Sequence, residues 1–494
     1  MTRSKQAKFR RAATRATSAS VLASAALGAS AQAQSSDALI NVLVKKGILT
    51  EQEAQSVKAE AEDTQTNLVS ASKWKISNAI KDIGLFGDLR FRYEYRGVET
   101  VDNQLGYRQR FRYALRAGIK GDLFDDFYYG IRLETASNPR SPWVTFGDET
   151  SYPFPGPFSK TNDGLGIGQV FLGWRAADWL ELTVGKMPNP MYTTALIWDT
   201  DINPEGAAER FKHSFGNLDL FATFGQFLYQ DTNPDQGIPT IPSFMGSALN
   251  QSDVFLLAWQ VGAELKFNHD LALKIAPTLY NYTGHGQSAG FPGPFVGEGG
   301  PGGQNFYDPS KPSWINQSGI NNLLVFDVPG ELNFKIGKYR ARLFGDFAVN
   351  LDGAARAQAA YLASQTLATP LLRAYPDDNK AYQAGFAFGN LGLVYGTTSK
   401  KHTWEARTYW QHTEQYAVDV NLNDSDFFEG RGNLQGIYTA FAYSITDGII
   451  GTVRYGFAEK INPHLGTGGS NQDMPQINPV NFYNLVQLDL TWRF

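Results

Sequence analysis

From residue 88 onward, apolar and polar residues alternate one by one. Leu89, Phe91, Tyr93 and Tyr95 interleave with Asp88, Arg90, Arg92, Glu94 and Arg96. A longer run repeats the pattern, with Phe111, Tyr113, Leu115, Ala117 and Ile119 set against Arg108, Arg110, Arg112, Arg116 and Lys120. A period of two is the signature of a strand with one apolar and one polar face. The pattern predicts strands near 88–96, 106–120, 125–135, 165–176, 179–187, 206–215, 217–229 and 253–267. Eight more are predicted near 270–282, 321–337, 339–351, 380–396, 401–412, 434–446, 448–460 and 481–494.

Short connections such as Asn268-His269-Asp270, Gly337-Lys338-Tyr339 and Thr446-Asp447-Gly448 alternate with long ones such as 136–164, 283–320 and 352–379. Short turns on one side and long loops on the other mark an outer-membrane barrel. An even strand count also returns the C-terminus to the side where the chain began. The last strand places Val486, Leu488, Leu490, Trp492 and Phe494 on one face, and phenylalanine is the final residue. That ending resembles the signal by which barrels are handed to the outer-membrane assembly machinery. The expected fold is therefore all-β: a transmembrane antiparallel β-barrel of about sixteen strands spanning 88–494, embedded in outer-membrane lipid.

Residues 34–87 differ, with helical spacing at Leu39, Val42, Leu43 and then Ala54, Val57, Ala61. Thr50-Glu51-Gln52-Glu53 reads as a capping box and Gly47 as a helix end. A short N-terminal α-helical segment, either a periplasmic spacer or an oligomerising coiled coil, is expected there. Before it, Arg3, Lys5, Lys8, Arg10, Arg11 and Arg15 precede a small apolar run that ends at Ala31-Gln32-Ala33, the arrangement of a secretory signal peptide over 1–33.

Composition sharpens this picture by exclusion. After the first thirty residues no stretch approaches the ~20 apolar residues of a spanning helix. The net charge of −4 becomes −10 once six leader cations are removed, so the electrostatic footprint of nucleic-acid binding is lacking. With no cysteine, neither disulfides nor thiolate metal sites hold an exported chain together.

If the aromatic residues face lipid, Arg90, Arg92, Arg96, Arg108, Arg110, Arg112, Arg116 and Arg132 face the lumen, since one arginine facing lipid near the midplane costs ~2–4 kcal/mol. These eight outnumber Asp88, Glu94 and Glu134, leaving a net positive strip. The bland alternative is structural pairing inside a polar interior. Three motifs are decoys. Asp199-x-Asp201-x-Asn203 starts like a calcium loop but has Pro204 and Arg210 where an EF-hand needs glycine and glutamate. Gly286-Gln287-Ser288-Ala289-Gly290 fits the hydrolase elbow pattern but lies in a glycine- and proline-rich loop. His402 and His412 are too far apart on a strand to share a metal. No catalytic residue, metal or cofactor is expected.

Val184-Gly185-Lys186-Met187-Pro188-Asn189-Pro190 followed by Trp198-Asp199-Thr200-Asp201-Ile202-Asn203-Pro204-Glu205-Gly206 resembles the bacterial "putative porin" family. So do Asp424-Ser425-Asp426-Phe427 with Gly430 and Gly432, and the leading Lys46-Gly47-Ile48-Leu49-Thr50-Glu51-Gln52-Glu53. The resemblance implies an outer-membrane channel, trimeric as barrels of this size in the general porin group usually are, and leaves the solute open. In general porins the third loop folds into the barrel. The same behaviour in residues 188–205 would set Asp199, Asp201 and Glu205 opposite the arginine wall and create a transverse field. The expected function is passive diffusion of small hydrophilic solutes or ions; the alternative is a surface receptor or adhesin using loops 283–320 and 352–379.

Overall fold

The structure, a computed structural model, describes residues 79–100, 103–135, 140–147, 164–230, 254–283, 299–300, 304–305, 322–365, 371–468 and 479–494. The expected leader, the N-terminal helices before residue 79, and most of 283–320 lie outside the described residues.

Sixteen strands form the wall. They are β1 Gly84–Thr100, β2 Leu105–Asp122, β3 Phe127–Thr135, β4 Leu165–Ala177, β5 Leu180–Lys186, β6 Glu205–Phe215, β7 Leu218–Gln230 and β8 Val254–Asn268. After them come β9 (Leu271–Ile275 and Thr278–Tyr282), β10 (Leu324–Asp327 and Gly330–Ile336), β11 Tyr339–Asn350, β12 Lys380–Gly389, β13 Trp404–Thr413, β14 Leu434–Ser444, β15 Ile449–Lys460 and β16 Val480–Arg493. Each pairs antiparallel with the next, and β16 returns to β1 with Asp88 opposite Arg493 and Phe91 opposite Leu490. Phe494 extends the seam, its N–H donating to the Gly87 carbonyl at 3.2 Å and its carbonyl accepting from Gly87 N at 3.0 Å. Closure leaves no sheet edge, the condition for a β structure to cross lipid. β9 and β10 are each broken by a proline, Pro277 and Pro329. The breaks sit side by side, so Ala276 N donates to the Pro329 carbonyl at 3.0 Å and the ladder passes over the missing donors.

The strict alternation sorts the side chains. Phe91, Phe111, Ile131, Val170, Trp259, Leu343, Trp410, Phe441, Val453 and Leu490 are all exposed on the outside, where lipid would cover them. Their neighbours Arg92, Glu94, Arg110, Thr223, Gln260, Asp346 and Asp489 are buried inside.

Two expectations about connections are corrected. The chain joining β1 to β2 on the long-loop side is only 101–104. On the short-turn side, β12 stops at Gly389 rather than 396 and β13 begins at Trp404 rather than 401, so 390–403 is a long connection. Its residues Leu393 and Val394 are 1% and 3% exposed, because the segment folds into the barrel instead of turning tightly. The first strand begins before residue 88, at Gly84, and Ile80 already bridges Leu123.

The interior is not an open tube. Met187, Leu196 and Trp198 of the third long loop pack with Phe227, Leu256 and Tyr280 of the wall and with Val418 and Leu422 of the 414–433 connection. A second cluster joins Leu393 and Val394 to Tyr409, Tyr438, Leu485 and two phenylalanines, Phe427 and Phe428. Those phenylalanines belong to α2, Ser425–Phe428; α1 spans Gly353–Ser364 and packs Ala357 and Ala360 with Tyr375, Tyr416 and Leu465.

Candidate pore constriction

β1 and β2 bring the basic ladder together by register. Arg92 stands opposite Arg112, Arg96 opposite Arg108, Glu94 opposite Arg110 and Asp88 opposite Arg116. Like charges directly across a ladder repel, and the structure offsets this with acids and an aromatic ring. Glu94, 1% exposed, sits 2.7 Å from Arg110 Nε and 3.0 Å from Arg96, with Arg92 and Arg112 each at 3.8 Å. Trp143, from a short run after β3 in which Val144–Thr145 pairs with β2, lies 4.2 Å from the Arg92 guanidinium and 5.7 Å from that of Arg112. The ring faces attract both cations.

Counter-charges also come from distant parts of the chain. Asp489 on β16 holds Arg92 at 2.8 Å and also pairs with Arg454 of β15. Asp426 of α2 meets Arg92 at 2.6 Å. Arg132 pairs with Glu134 at 2.8 Å, and Arg90 with Asp88 at 2.7 Å. Beyond the three acids expected there, Asp489, Asp426, Glu429 and Asp201 enter the same cluster, Glu429 lying 3.8 Å from Arg96. Arg108 is half-buried on the inner face.

The third loop crosses the interior. Tyr192 N donates to Gln260 of β8 at 2.9 Å and its carbonyl accepts from the same amide at 2.9 Å. Thr194 bonds Asp346 of β11, and the loop then returns to the basic wall, where Asp201 contacts Arg116 at 2.9 Å and approaches Arg90 at 3.9 Å. Asp201 therefore touches the wall rather than facing it across open space. Asp199 turns aside, accepting from Ser425 N at 3.3 Å and Ser425 Oγ at 3.2 Å while its own N–H donates to the Leu422 carbonyl at 2.6 Å. Glu205 does not join them. It is the first residue of β6, pairs in register with Lys186, shares the outer face with Val184 and Phe211, and lies exposed 2.9 Å from Lys186 Nζ. The alternation through Ala207, Glu209 and Phe211 turns it outward.

Asp199, Asp201, Asp424 and Asp426 converge from two loops. Burial pushes the Asp199 carboxyl well above the usual carboxylate range, and Asp424 and Asp201 add to the shift. Burial pushes Asp424 up to about 7, reinforced by Asp426. For Asp426 the same burial is outweighed by Arg92, which holds its carboxyl well below the usual range. Of the calcium-like triplet, Asp199 Oδ1 accepts from Asp201 N and Asn203 Oδ1 accepts from Gln169.

Between wall and loops lies a cavity of about 280 Å³, lined by Arg90, Arg116, Asp201, Asp426, Trp143 and Tyr395 among others. A second, of about 850 Å³, opens beneath the third loop beside Arg210, Lys212 and Lys274, with Lys274 Nζ 3.9 Å from the Tyr192 ring. Of the residues that matter here, Trp143, Asp489 and Tyr395 were given no role from sequence, whereas Arg454 was expected to face inward and does. Asp424 and Asp426 were visible as a motif without a role.

A closed sixteen-strand antiparallel barrel with an apolar outside, a charged inside and inward-folded loops defines a porin-type transmembrane channel, and fits a bacterial outer membrane. Residues 97–289 and 330–494 match the family described as "Putative porin", and the chain belongs to that family. No curated protein matches it in sequence. Among solved structures it resembles an anion-selective porin from Comamonas acidovorans, at 9% identity and a TM-score of 0.41 over 84% of this chain and 99% of that one. It also resembles OmpT, an outer membrane protein of Vibrio cholerae, at 10% identity and 0.39 over 85% and 100%. A porin variant from Rh. blastica gives 10% identity and 0.36 over 84% and 100%.

Proposed function

We propose that this chain is a passive pore for small hydrophilic solutes or ions, exported by a cleaved leader and assembled as a trimer. Solutes pass through the cavity that the β1–β2 arginines line together with the loop carboxylates Asp201 and Asp426. The observation that carries this reading is the polar cavity enclosed by two inward loops on one side and the basic ladder on the other. Its charges are largely paired, so selection rests on size and on alternating fixed charges that replace part of a solute's hydration. Apolar solutes gain nothing from such a lining and lose water contacts.

Liposomes containing the purified protein should swell in iso-osmotic small sugars, at rates falling steeply with solute size. Equal swelling with and without protein would remove the pore reading.

A further inference from the structure

The connection Asn390–Thr403 has no counterpart among the other short-turn connections, and it folds inward. The backbone permits this at Gly389 (φ 116°) and Gly392 (φ 100°), values that side-chain-bearing residues rarely adopt. A Cβ on Gly392 would also lie 2.3 Å from Thr397 Oγ1. Thr397 N donates to the Gly392 carbonyl at 2.8 Å and Gly396 N to the Leu393 carbonyl at 2.9 Å, closing a compact knot.

The knot is fixed to the barrel from several directions. Leu393 and Val394 pack on Tyr409, Tyr438 and the α2 phenylalanines. Val394 N donates to Glu405 Oε2 at 3.1 Å, and Arg454 Nη2 donates to the Val394 carbonyl at 3.2 Å. Tyr395 lies over Arg407, 4.5 Å from the guanidinium to the ring centroid, and Glu405 holds that guanidinium at 3.0 Å. A segment from one mouth of the barrel thus meets α2, which enters from the other. Yet Tyr395 is still 47% exposed, and it lines the same cavity as Arg90, Arg116, Asp201 and Asp426.

We propose that residues 390–397 form a second constriction, in series with the loop carboxylates on the short-turn side of the charged cavity, and that Tyr395 sets the size of the solute that leaves it. This rests on the pore reading above. A buried Leu393-Val394 pair and an exposed, stacked Tyr395 suit a rigid sill better than a mobile flap, because Val394 N, the Val394 carbonyl and Gly396 N are all held. The sill carries no charge of its own into the cavity, so it filters by size and leaves charge selection to the ladder and loops.

The test uses full-length protein in planar bilayers. Tyr395→Ala should raise single-channel conductance and admit larger sugars in liposome swelling, Tyr395→Trp should lower both, and the reversal potential in a salt gradient should stay unchanged in each. Because the chain has no cysteine, Tyr395→Cys offers a single thiol. A bulky thiol reagent added on the short-turn side should cut the current, to roughly half or less if the sill is the narrowest point, and should act more slowly from the long-loop side. Unchanged conductance in the alanine and tryptophan variants, or modification without loss of current, would overturn the proposal while leaving a conducting wild type intact. A wild type that conducts nothing would instead sink the pore reading. Should Tyr395→Ala not assemble, the tryptophan and cysteine variants decide the matter alone.

Discussion

Replacing Asp426 with asparagine removes one negative charge from the constriction and changes almost nothing else. Arg92 keeps Asp489 at 2.8 Å, so no guanidinium is left unpaired, and the amide still accepts a hydrogen bond at the Asp426 position. The size of the effect follows from Coulomb's law. A unit charge 4 Å from a passing ion is worth about 1 kcal/mol in water-like surroundings, the appropriate limit because the Asp426 side chain is 35% exposed. Arg92 lies only 2.6 Å away and cancels roughly half of that. An anion therefore gains about 0.5 kcal/mol and a cation loses about the same, shifting the anion-to-cation permeability ratio about fivefold toward anions. The assay is the reversal potential of reconstituted channels across a potassium chloride gradient. At high salt the shift should shrink, since the Debye length drops from ~10 Å at 0.1 M to ~3 Å at 1 M. A shift toward cations, or none at low salt in a channel that still conducts, would refute the placement of Asp426 beside the permeation path.

Two further predictions follow from loop and seam. Asp424, pushed up to about 7 by burial and by Asp426, is neutral below that pH and charged above it, so anion preference should fall as pH rises through about 7. Its raised value also means that the folded state holds a proton the unfolded chain has released, so docking of the 414–433 loop should weaken with rising pH from the ordinary carboxylate range up to about 7. Asp424→Asn, which retains the helix cap now made to Asp426 N, should abolish both trends in pH-series recordings; their persistence would point to another group. Phe494→Asp places a charge beside Trp492, 5.2 Å away, on the lipid side of the closing seam. It should reduce the heat-modifiable barrel band of outer-membrane fractions on electrophoresis while export continues, and a normal band would show that Phe494 is dispensable.

The wall was legible in the sequence because a two-residue period under lipid on one side leaves little freedom. A slip of one residue in β1 would send Arg90, Arg92 and Arg96 into lipid. Most strand ends were therefore found to within a few residues. The interior was far less legible. Arg92 and Asp489 are 397 positions apart, and no local pattern announces that they share a bond. Inward positions were expected to be polar, yet Leu256, Tyr280 and Leu485 face inward too, because loops from both mouths supply them with apolar partners. The 380–396 run shows the same limit: Leu393 and Val394 continue an apolar pattern that suits a strand, and only the glycines at 389 and 392 divert it. Glu205 misled for the opposite reason. Pro204-Glu205-Gly206 looks like loop chemistry, whereas pairing with Lys186 already places it in the wall.

In the pore proposed, water and small solutes cross the barrel through the cavity between the β1–β2 ladder and the two inward loops. Replacing Thr200, which lines that cavity, with cysteine places a unique thiol between Asp199 and Asp201, and the measurement is single-channel current before and after a small charged thiol reagent is added. A pore through that cavity predicts stepwise block or loss of conductance, with a cationic reagent and an anionic one moving the reversal potential in opposite directions. Complete modification of the thiol with current and reversal potential unaltered would contradict it.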